Sequence, residues 1–289
     1  MSGLRRSVIR QRQEFLDRKQ KETVHESIHA RKEQLRSALD NATPLPGHLK
    51  KDAVTLKKFV ELDDDQTKRL RTTVDDEYAL AGVQDPKVLV TTSRDPSQKL
   101  MEFTKEVRLM LPNSTRMNRG GIGVGQVAEA ARRDNYTDIV VISESKGVPD
   151  SLTVSHLPLG PTVVFTLHNI VTRHDIEGVG PMSEQAPHLI FENFSTKLGH
   201  RIRDVLKFLF PVPRVDSSRV LTFDNTNDYI SFRHHTFVKK GDKVTLTEVG
   251  PRFELQPFRV LLGTIDMPDA ETEWVMHPFL NSSKRRRVL

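Results

Sequence analysis

The stretch TLTEVGPRFELQPFRVLLGT, residues 245–264, decides how the fold of this chain is interpreted. The Gly250-Pro251 pair forces a turn and removes one backbone donor, which predicts a corner between two strands. Arg252 follows the corner directly, where its guanidinium can reach a phosphate or a base edge. Most corners of this kind serve only the architecture. We expect a strand before the corner, formed by Val244, Leu246 and Val249. After the corner we expect a segment that packs in the core through Phe253, Leu255, Pro257, Phe258, Val260, Leu261 and Leu262.

The composition of the 289 residues is that of one large or two small domains with a solvated surface. Hydrophobic residues make up 36% of the chain and charged residues 28%. The absence of cysteine excludes disulfides, cysteine-ligated zinc, iron–sulfur clusters and thiol nucleophiles, and favours an intracellular setting. No apolar run approaches the roughly 18 residues of a membrane span, and the polar, basic N-terminus resembles no signal peptide. We therefore expect no membrane association.

The net charge of +6 is unevenly distributed. Residues 1–41 carry a net charge of +4, the tail Lys284–Arg287 carries another +4, and residues 42–283 are left at −2. Basic tails on a near-neutral body usually reach into polyanions. The KRRR tail is typical both of a nuclear import signal and of a nucleic-acid contact, and the sequence leaves both open.

The first 85 residues differ in pattern from the rest. The pattern of residues 4–40 predicts one long helix with basic residues on all sides and only a thin apolar stripe. Such a helix is typically disordered alone or docked along a partner. Residues 41–47, NATPLPG, end it with two prolines. Residues 48–85 are charged and poor in periodicity, which predicts an extended linker with short helical turns. We expect the folded body to begin near Pro86.

The body alternates strand and helix patterns, which predicts an α/β fold with a mixed sheet flanked by helices. Its first helix, Gln98 to Leu111, is amphipathic, and we expect Leu100, Met101, Phe103, Val107 and Met110 to face inward. A glycine loop at residues 119–125 precedes a second helix that ends near Asn135. Strands are predicted at residues 87–93, 114–118, 138–143, 152–157 and 162–170.

The same pattern recurs about 100 residues later. Residues 87–112 and 188–211 each run from a short strand through a serine turn into a helix that ends in a Leu-Pro or Phe-Pro step. Strands at 219–224, 229–238 and 243–249 follow the second copy. We infer two similar α/β halves that arose by duplication and meet in the loop 178–187.

Motifs for catalysis are missing from the sequence. The glycines at 120–125 do not match dinucleotide-binding spacing, and no phosphate-binding P-loop occurs. His168, His174 and Asp175 are a weak metal or acid–base candidate, and a capped strand end explains them as well. His234-His235 could contact nucleic acid, although a solvated strand explains them better. We predict no catalytic residues, no metal site and no cofactor.

Four segments together resemble the Brix-domain family of ribosome-biogenesis proteins. They are TTSRDPSQKLMEFTKEVRLMLPNSTRMNRGG at 91–121, LTVSHLPLGPTVVFTLHNIVTRHD at 152–175, PHLIFENFSTKLGHRIRDVLKFLFP at 187–211 and TEVGPRFELQPFRVLLGT at 247–264. The arm LRRSVIRQRQEFLDRKQ, the PLPGHL break and the short tail after WVMHPFL are similar to one subgroup, the Imp-four subunits of the small-subunit processome.

This resemblance implies a Brix domain whose duplicated halves are similar to the anticodon-binding domains of class II tRNA synthetases. It implies RNA binding in the nucleus and nucleolus during early small-subunit assembly. The implied partners are small nucleolar RNA and pre-rRNA, a small subunit similar to an S-four ribosomal protein, a large acidic scaffold subunit, and other processome proteins along the N-terminal helix.

The sequence pattern and the resemblance to the Brix-domain family together predict the domain boundaries. We expect a basic helical arm at 1–41, a charged linker at 42–85, a Brix domain at 86–268 and a C-terminal tail with a basic end at 269–289. The halves of the Brix domain are expected at about 86–177 and 187–268.

Mapping the family's segments onto the chain gives the candidate RNA contacts. Arginines supply bidentate phosphate contacts, the glycine loop lets backbone N–H groups approach phosphate, and Phe253 could stack on an unpaired base. As alternatives, Phe253 belongs to the core, and Asn113 and Ser114 cap local turns. The candidates are Ser93, Arg94, Asn113, Ser114, Arg116, Asn118, Arg119, Gly120, Arg252, Phe253, Arg259, Lys284, Arg285, Arg286 and Arg287.

Three functions compete at this point. The favoured one is a non-enzymatic assembly factor that stabilises the pairing between small nucleolar RNA and pre-rRNA. The alternative is a protein-interaction scaffold that docks an acidic peptide between its halves and contacts RNA only through basic tails. An enzyme that depends on His174 is the third, and no catalytic motif supports it.

Overall fold

The computed structural model describes residues 2–41, 44–47, 49–50, 52–53, 56, 77–78, 81, 84–214, 216–240, 243–276 and 289. Within these ranges the chain divides into two compact units, one of residues 9–83 and one that combines residues 1–8 with 84–289. No described helix has the length and apolar character needed to cross a membrane.

Helix α1, Ser2–Asp40, is rich in strong helix formers and belongs to the smaller unit from Ile9 onward. Near its end Leu35 is buried against Leu49 and Leu56. Leu45 and Ala53 pack on the same cluster. This part of the predicted linker is therefore packed rather than extended, because its few leucines find a partner on the last turns of α1. Most of the remaining linker lies outside the described residues.

The larger unit contains one sheet of eleven described strands. Their order is β2-β1-β3-β4-β5-β10-β8-β7-β6, with β9 paired to β8 and β11 to β10. β1, β2 and β3 are parallel to one another, as are β6 and β7, and the other pairs are antiparallel. The strands are β1 Val88–Thr92, β2 Ser114–Arg116, β3 Asp138–Ser145, β4 Val148–His156, β5 Thr162–Val171, β6 His188–Glu192, β7 Arg219–Thr226, β8 Tyr229–Lys240, β9 Lys243–Glu248, β10 Arg252–Leu261 and β11 Thr272–Val275.

Three of the described helices pack on the sheet, namely α2 Gln98–Met110, α3 Val124–Arg133 and α4 Lys197–Lys207. Ser97 and Thr196 begin α2 and α4, each accepting a backbone N–H through its hydroxyl. Two parts of the chain follow the same path. β1, α2, β3, β4 and β5 form a parallel pair followed by two antiparallel strands, and β6, α4, β7, β8 and β10 do the same. Antiparallel pairing of β5 with β10 joins the two parts.

The core lies on both faces of the first part of the sheet. Leu89, Ile139 and Val141 pack on one face with Val127 and Ala128 of α3. Alternate residues face the opposite side, so every residue of β1 is buried. On that side α2 and α4 pack together against the sheet through Val107, Leu206, Phe223, Phe253 and Leu255.

Two residues predicted to face inward are exposed. Met101 lies one position outside the buried stripe of α2, which contains Leu100, Phe103 and Val107, and its side chain is therefore turned away from the sheet. Phe258 lies where the register of β10 shifts between Pro257 and Arg259, and the shift turns both Phe258 and Arg259 outward.

The sheet continues past residue 268, the predicted end of the Brix domain. β11 pairs with β10 through Arg259 and Val275. Leu289 is buried, and its backbone N–H donates to Asp228 Oδ1 over 3.0 Å. The segment predicted as a tail thus contributes to the larger unit at both of these described points.

Candidate RNA-binding site

The carboxyl ends of β1 and β2 bring together candidates that lie 25 residues apart in the sequence. The two strands are parallel neighbours, and Val90 pairs with Arg116. The pairing continues past the strands, since Met117 N–H donates to Val90 O over 2.9 Å and Thr91 Oγ1 donates to Met117 O over 3.0 Å. Because parallel strands end at the same edge of a sheet, one edge carries Ser93, Arg94, Asn118, Arg119 and Gly120.

Two arginines at this edge are close enough to repel each other. The pKa of Arg119 is lowered, first by partial burial and then by the positive charge of Arg94. Arg119 is fixed by its Nε–H, which donates to Ile122 O over 2.7 Å. Within the described ranges neither guanidinium has a carboxylate partner. Two like charges without a counterion favour an anion between or beside them.

The glycine loop beside Arg119 leaves the backbone accessible. Gly120 has φ +53°, a left-handed conformation that favours glycine, and a Cβ built on it or on Gly121 would meet no atom within 4 Å. The loop enters α3, which has no acidic residue in its first turn. Gly123 N–H donates to Gln126 Oε1 over 3.3 Å. The loop therefore offers open backbone next to the two arginines.

The N-terminus of α2, at the same edge, is already occupied. Ser97 donates to the carboxylate of Glu144 from its backbone N–H over 2.9 Å and from its hydroxyl. Glu144 extends β3 beyond its pairing with β1 and neutralises this helix end. Glu144 therefore competes with a phosphate at this helix end, and no motif in the sequence pointed to Glu144. Lys146, exposed in the β3–β4 turn, is an additional cation at this edge, and no motif in the sequence pointed to it.

Ser93 lies in the same edge with a partly buried side chain. Its backbone N–H donates to Ile142 O over 2.9 Å. Its Oγ is buried and has no hydrogen-bond partner in the described part of the chain. Buried hydroxyls are normally paired, so the Ser93 hydroxyl is an unused donor and acceptor in the residue before Arg94.

Asn113 and Ser114 lie at the other end of β2 and do not join this cluster. Ser114 is buried, and its hydroxyl bonds to the carbonyls of Arg108 and Leu111, both over 2.7 Å. Asn113 adopts φ +56° and accepts the N–H of Val88 at the amino end of β1. The alternative of local turn capping is therefore correct for Ser114. Arg116 is exposed at the carboxyl end of β2, on the outer strand of the sheet, and therefore at the same edge as Arg94 and Arg119.

The two corner residues proposed as RNA contacts both have partners within the protein. Arg252 donates to both carboxylate oxygens of Glu248 over 2.5 and 2.6 Å, and these hydrogen bonds lower the pKa of Glu248. Phe253 is 1% exposed and stacks on Phe232 with ring centroids 4.5 Å apart. Stacking of Phe253 on a base is therefore wrong, because the ring is part of the core.

Arg259 is exposed but lies seven residues further along β10 than Arg252, a distance of about 23 Å along a strand. The two arginines thus cannot hold one ligand group. The basic tail Lys284–Arg287 lies outside the described residues.

The histidines are placed differently from one another. His234 is fully buried, which contradicts both the nucleic-acid and the solvated-strand interpretations. His168 contacts Tyr229 with ring centroids 5.4 Å apart. His174 lies in a short turn whose first N–H, that of Arg173, donates to both oxygens of Glu106 over 3.0 Å. Among the described residues no three His, Asp or Glu side chains converge on a possible metal position.

Comparisons with known proteins agree with the segments singled out in the sequence. The Brix-domain family model matches residues 93–259. The U3 small nucleolar ribonucleoprotein protein IMP4 of Homo sapiens is 49% identical over 286 residues, which cover 98% of each chain. Its counterpart in Schizosaccharomyces pombe is 49% identical over 278 residues, 95% of this chain and 96% of the relative. A solved structure of a probable ribosomal biogenesis protein from Aeropyrum pernix K1 matches with a TM-score of 0.47 and 20% identity, over 59% of this chain and 96% of that one. The chain therefore belongs to the Brix-domain family.

Proposed function

We propose that this chain is a non-enzymatic RNA-binding assembly factor of the small-subunit processome. It acts in early pre-18S rRNA processing by binding and stabilising the pairing between small nucleolar RNA and pre-rRNA. The observation that carries the proposal is the pair Arg94 and Arg119, two neighbouring guanidiniums without a carboxylate partner in the described ranges, beside an open glycine loop. The name of its relatives, U3 small nucleolar ribonucleoprotein protein, supports it.

The chemistry of this edge favours recognition of backbone and shape. Arginines and exposed backbone amides contact phosphates, which carry no sequence information. Phe253, the aromatic residue expected to read a base, is buried. Paired RNA is recognised mostly through its phosphates and its shape, so the edge suits a duplex better than an unpaired strand.

The path of the chain supports a duplicated Brix domain. Each half contains a strand, a helix and three further sheet strands in the same order, with β2 and α3 inserted in the first half and β9 inserted in the second. We place the halves at about 86–177 and 187–268, each similar to an anticodon-binding domain. β11 and Leu289 extend the larger unit into residues 269–289.

The partners follow from the same assembly. We place the chain in the nucleolus with small nucleolar RNA, pre-rRNA, an S-four-like small subunit and a large acidic scaffold subunit. The arm at 1–41 contacts RNA and other processome proteins, and its net charge of +4 supports the RNA contact.

The test measures the affinity of the full-length chain for a short RNA duplex at several salt concentrations. The triple variant Arg94→Ala, Arg116→Ala, Arg119→Ala should bind at least 10-fold more weakly at low salt, and its salt slope should fall by about one unit or less per lost contact. Arg133→Ala is the matched control, because Arg133 is equally basic and exposed on α3. Equal affinity of the triple variant and the native chain would reject this site.

A protein-interaction scaffold remains the second candidate, and one observation favours it. Residues 42–283 have a net charge of −2, which is weak for an RNA-binding body. Deleting residues 1–41 and 284–289 separates the two functions. The scaffold requires RNA affinity to vanish with the basic tails, whereas an RNA-binding body keeps affinity that Arg94 and Arg119 determine.

A further inference from the structure

The ends of β8 and β9 extend beyond the sheet as a two-stranded ribbon. We define the ribbon as Phe237–Lys240 with Lys243–Leu246, which pair with each other. The pairing of β8 with β7 stops at Thr236, followed by one further bond from Phe237 N–H to Ser218 O over 2.8 Å. A two-stranded ribbon is only marginally stable in water without a hydrophobic face to pack.

The ribbon exposes large aliphatic side chains. Val238 is 54% exposed, Val244 57% and Leu246 61%. Val244 and Leu246 lie two residues apart and therefore on the same face, next to Phe237, which pairs with Leu246. The strand itself was expected from its apolar alternation, but its exposure was not. Contiguous exposed apolar groups of this kind mark a contact surface.

The outer edge of β9 is also open. β8 is the described strand that pairs with β9, and the first contact on the other side is Gly180 N–H, which donates to Glu248 O over 2.8 Å. In the segment Lys243–Leu246, alternate residues thus direct their backbone N–H and C=O groups away from β8. These groups have no hydrogen-bond partner among the described residues. Such an edge accepts an additional strand.

The positive charge of the ribbon indicates which kind of molecule could bind there. Lys239 and Lys243 are exposed, and residues 237–247 contain three lysines and one aspartate. A second copy of the ribbon would place lysines against lysines, which is unfavourable. RNA would neutralise the lysines but leave the aliphatic groups in water, since phosphate contacts bury little apolar surface.

We propose that β9 accepts an extended acidic peptide as an additional strand, with aliphatic side chains at alternate positions that pack on Val244 and Leu246. The backbone edge supplies the pairing, and the aliphatic face supplies apolar burial. Lys243 lies on the opposite face, beside the alternate positions of the peptide, and Lys239 on β8 adds positive charge, so acidic residues are preferred. This docking surface is separate from the Arg94–Arg119 edge and does not depend on RNA binding.

The test selects binders to the full-length chain from a displayed random library of 12-residue peptides. Counter-selection uses the variant Val244→Thr with Leu246→Thr, which places β-branched threonines on an exposed strand and should fold normally. Selected peptides should alternate Asp or Glu with aliphatic residues. Their affinity should fall at least 10-fold with Lys239→Glu plus Lys243→Glu, and should stay within twofold with Val148→Thr, an equally exposed valine on β4.

Two further measurements complete the test. Hydrogen exchange at residues 243–247 should slow when a selected peptide is added, and N-methylation of alternate residues in that peptide should abolish binding. The proposal is overturned if no peptide discriminates the native ribbon from the threonine variant, if the selected peptides are basic, or if N-methylation has no effect. RNA affinity of the threonine variant should equal that of the native chain, which separates this surface from the RNA-binding site.

Discussion

Arg219 donates from Nε to Nε2 of His234 over 2.9 Å, and both side chains are fully buried. His234 uses its other ring nitrogen, Nδ1, to donate to Gly250 O over 2.9 Å. Because Nε2 accepts and Nδ1 donates, the ring is neutral. Arg219 also donates to Met110 O over 2.7 Å and to Gln185 O over 3.1 Å. The pair thus ties the end of α2, the loop before β6 and the Gly250 corner to the sheet.

The free energy of unfolding should decrease as the pH is lowered, because His234 is buried as a neutral ring. Burial, and then the positive charge of Arg219, lower the pKa of His234 from 6.5 to about 3. The unfolded chain binds this proton below pH 6.5 and the folded chain does so only near pH 3. The stabilisation is therefore complete above pH 6.5 and is lost progressively between pH 6.5 and 3, by up to about 1.4 kcal/mol per pH unit. Urea unfolding at pH 7.5, 6 and 5 measures it.

The variant His234→Gln isolates this contribution, because glutamine does not titrate. Its unfolding free energy should change less between pH 7.5 and 5 than that of the native chain. His235→Gln, the neighbouring and more accessible histidine, should keep the native pH dependence. An identical pH dependence in the native chain and His234→Gln would contradict the buried neutral ring.

Arg219→Met should destabilise the chain by about 3 kcal/mol, because it leaves the last carbonyls of α2 and the ring of His234 without their buried donor. Arg233→Met, on the adjacent strand with a half-buried guanidinium, is the control and should cost less than 1 kcal/mol. Both unfolding free energies come from denaturant titration at pH 7.5. Equal values for the two variants would show that the Arg219 network contributes little.

Phe253→Ala should lower stability by about 3–5 kcal/mol, since the ring packs on Phe232 and meets the edge of Phe103 with centroids 5.8 Å apart. Phe258→Ala, in the exposed part of the same strand, should cost less than 1 kcal/mol. Phe253→Leu should keep the RNA affinity of the native chain at temperatures where it is folded. Weaker RNA binding by Phe253→Leu at unchanged stability would restore the base-stacking role.

Two glycine substitutions should differ sharply. Gly160 has φ +108°, and a Cβ there would lie 2.7 Å from Gly263 O, so Gly160→Ala should cost about 3 kcal/mol or more. A Cβ at Gly121 would meet nothing within 4 Å, so Gly121→Ala should stay within about 0.5 kcal/mol. Thermal unfolding compares them, and a similar melting temperature for both would contradict the close approach at Gly160.

The strands that could be predicted are those with a dense run of β-branched residues. Residues 138–143 could be predicted as a buried strand because a strand covered on both faces needs apolar residues throughout. Residues 162–170 could be predicted as a strand from their β-branched residues. The register of β10 could not be predicted, because the shift that turns Phe258 outward depends on its pairing with β5. The exposure of the ribbon could not be predicted either, because the alternation of apolar residues predicts a strand but not which elements pack on it.

In the candidate site, closeness in the sequence did not predict closeness in the fold. Arg252 and Arg259 lie in one segment but at opposite ends of a strand, whereas Arg94 and Arg119 are distant in sequence and adjacent at one edge. Only the strand order brings the latter pair together. Buried Arg219 has no sequence signal, because arginine is almost never fully buried and its partners are backbone carbonyls far along the chain.

The most direct test of the central claim is crosslinking of the native chain to RNA in cells, with the crosslinked peptides identified by mass spectrometry. RNA binding by the folded body predicts crosslinks in peptides that carry Arg94 and Asn118–Gly121, joined to small nucleolar RNA or pre-rRNA. Crosslinks confined to residues 1–41 and 284–289 would contradict it and would make the body a protein-docking scaffold.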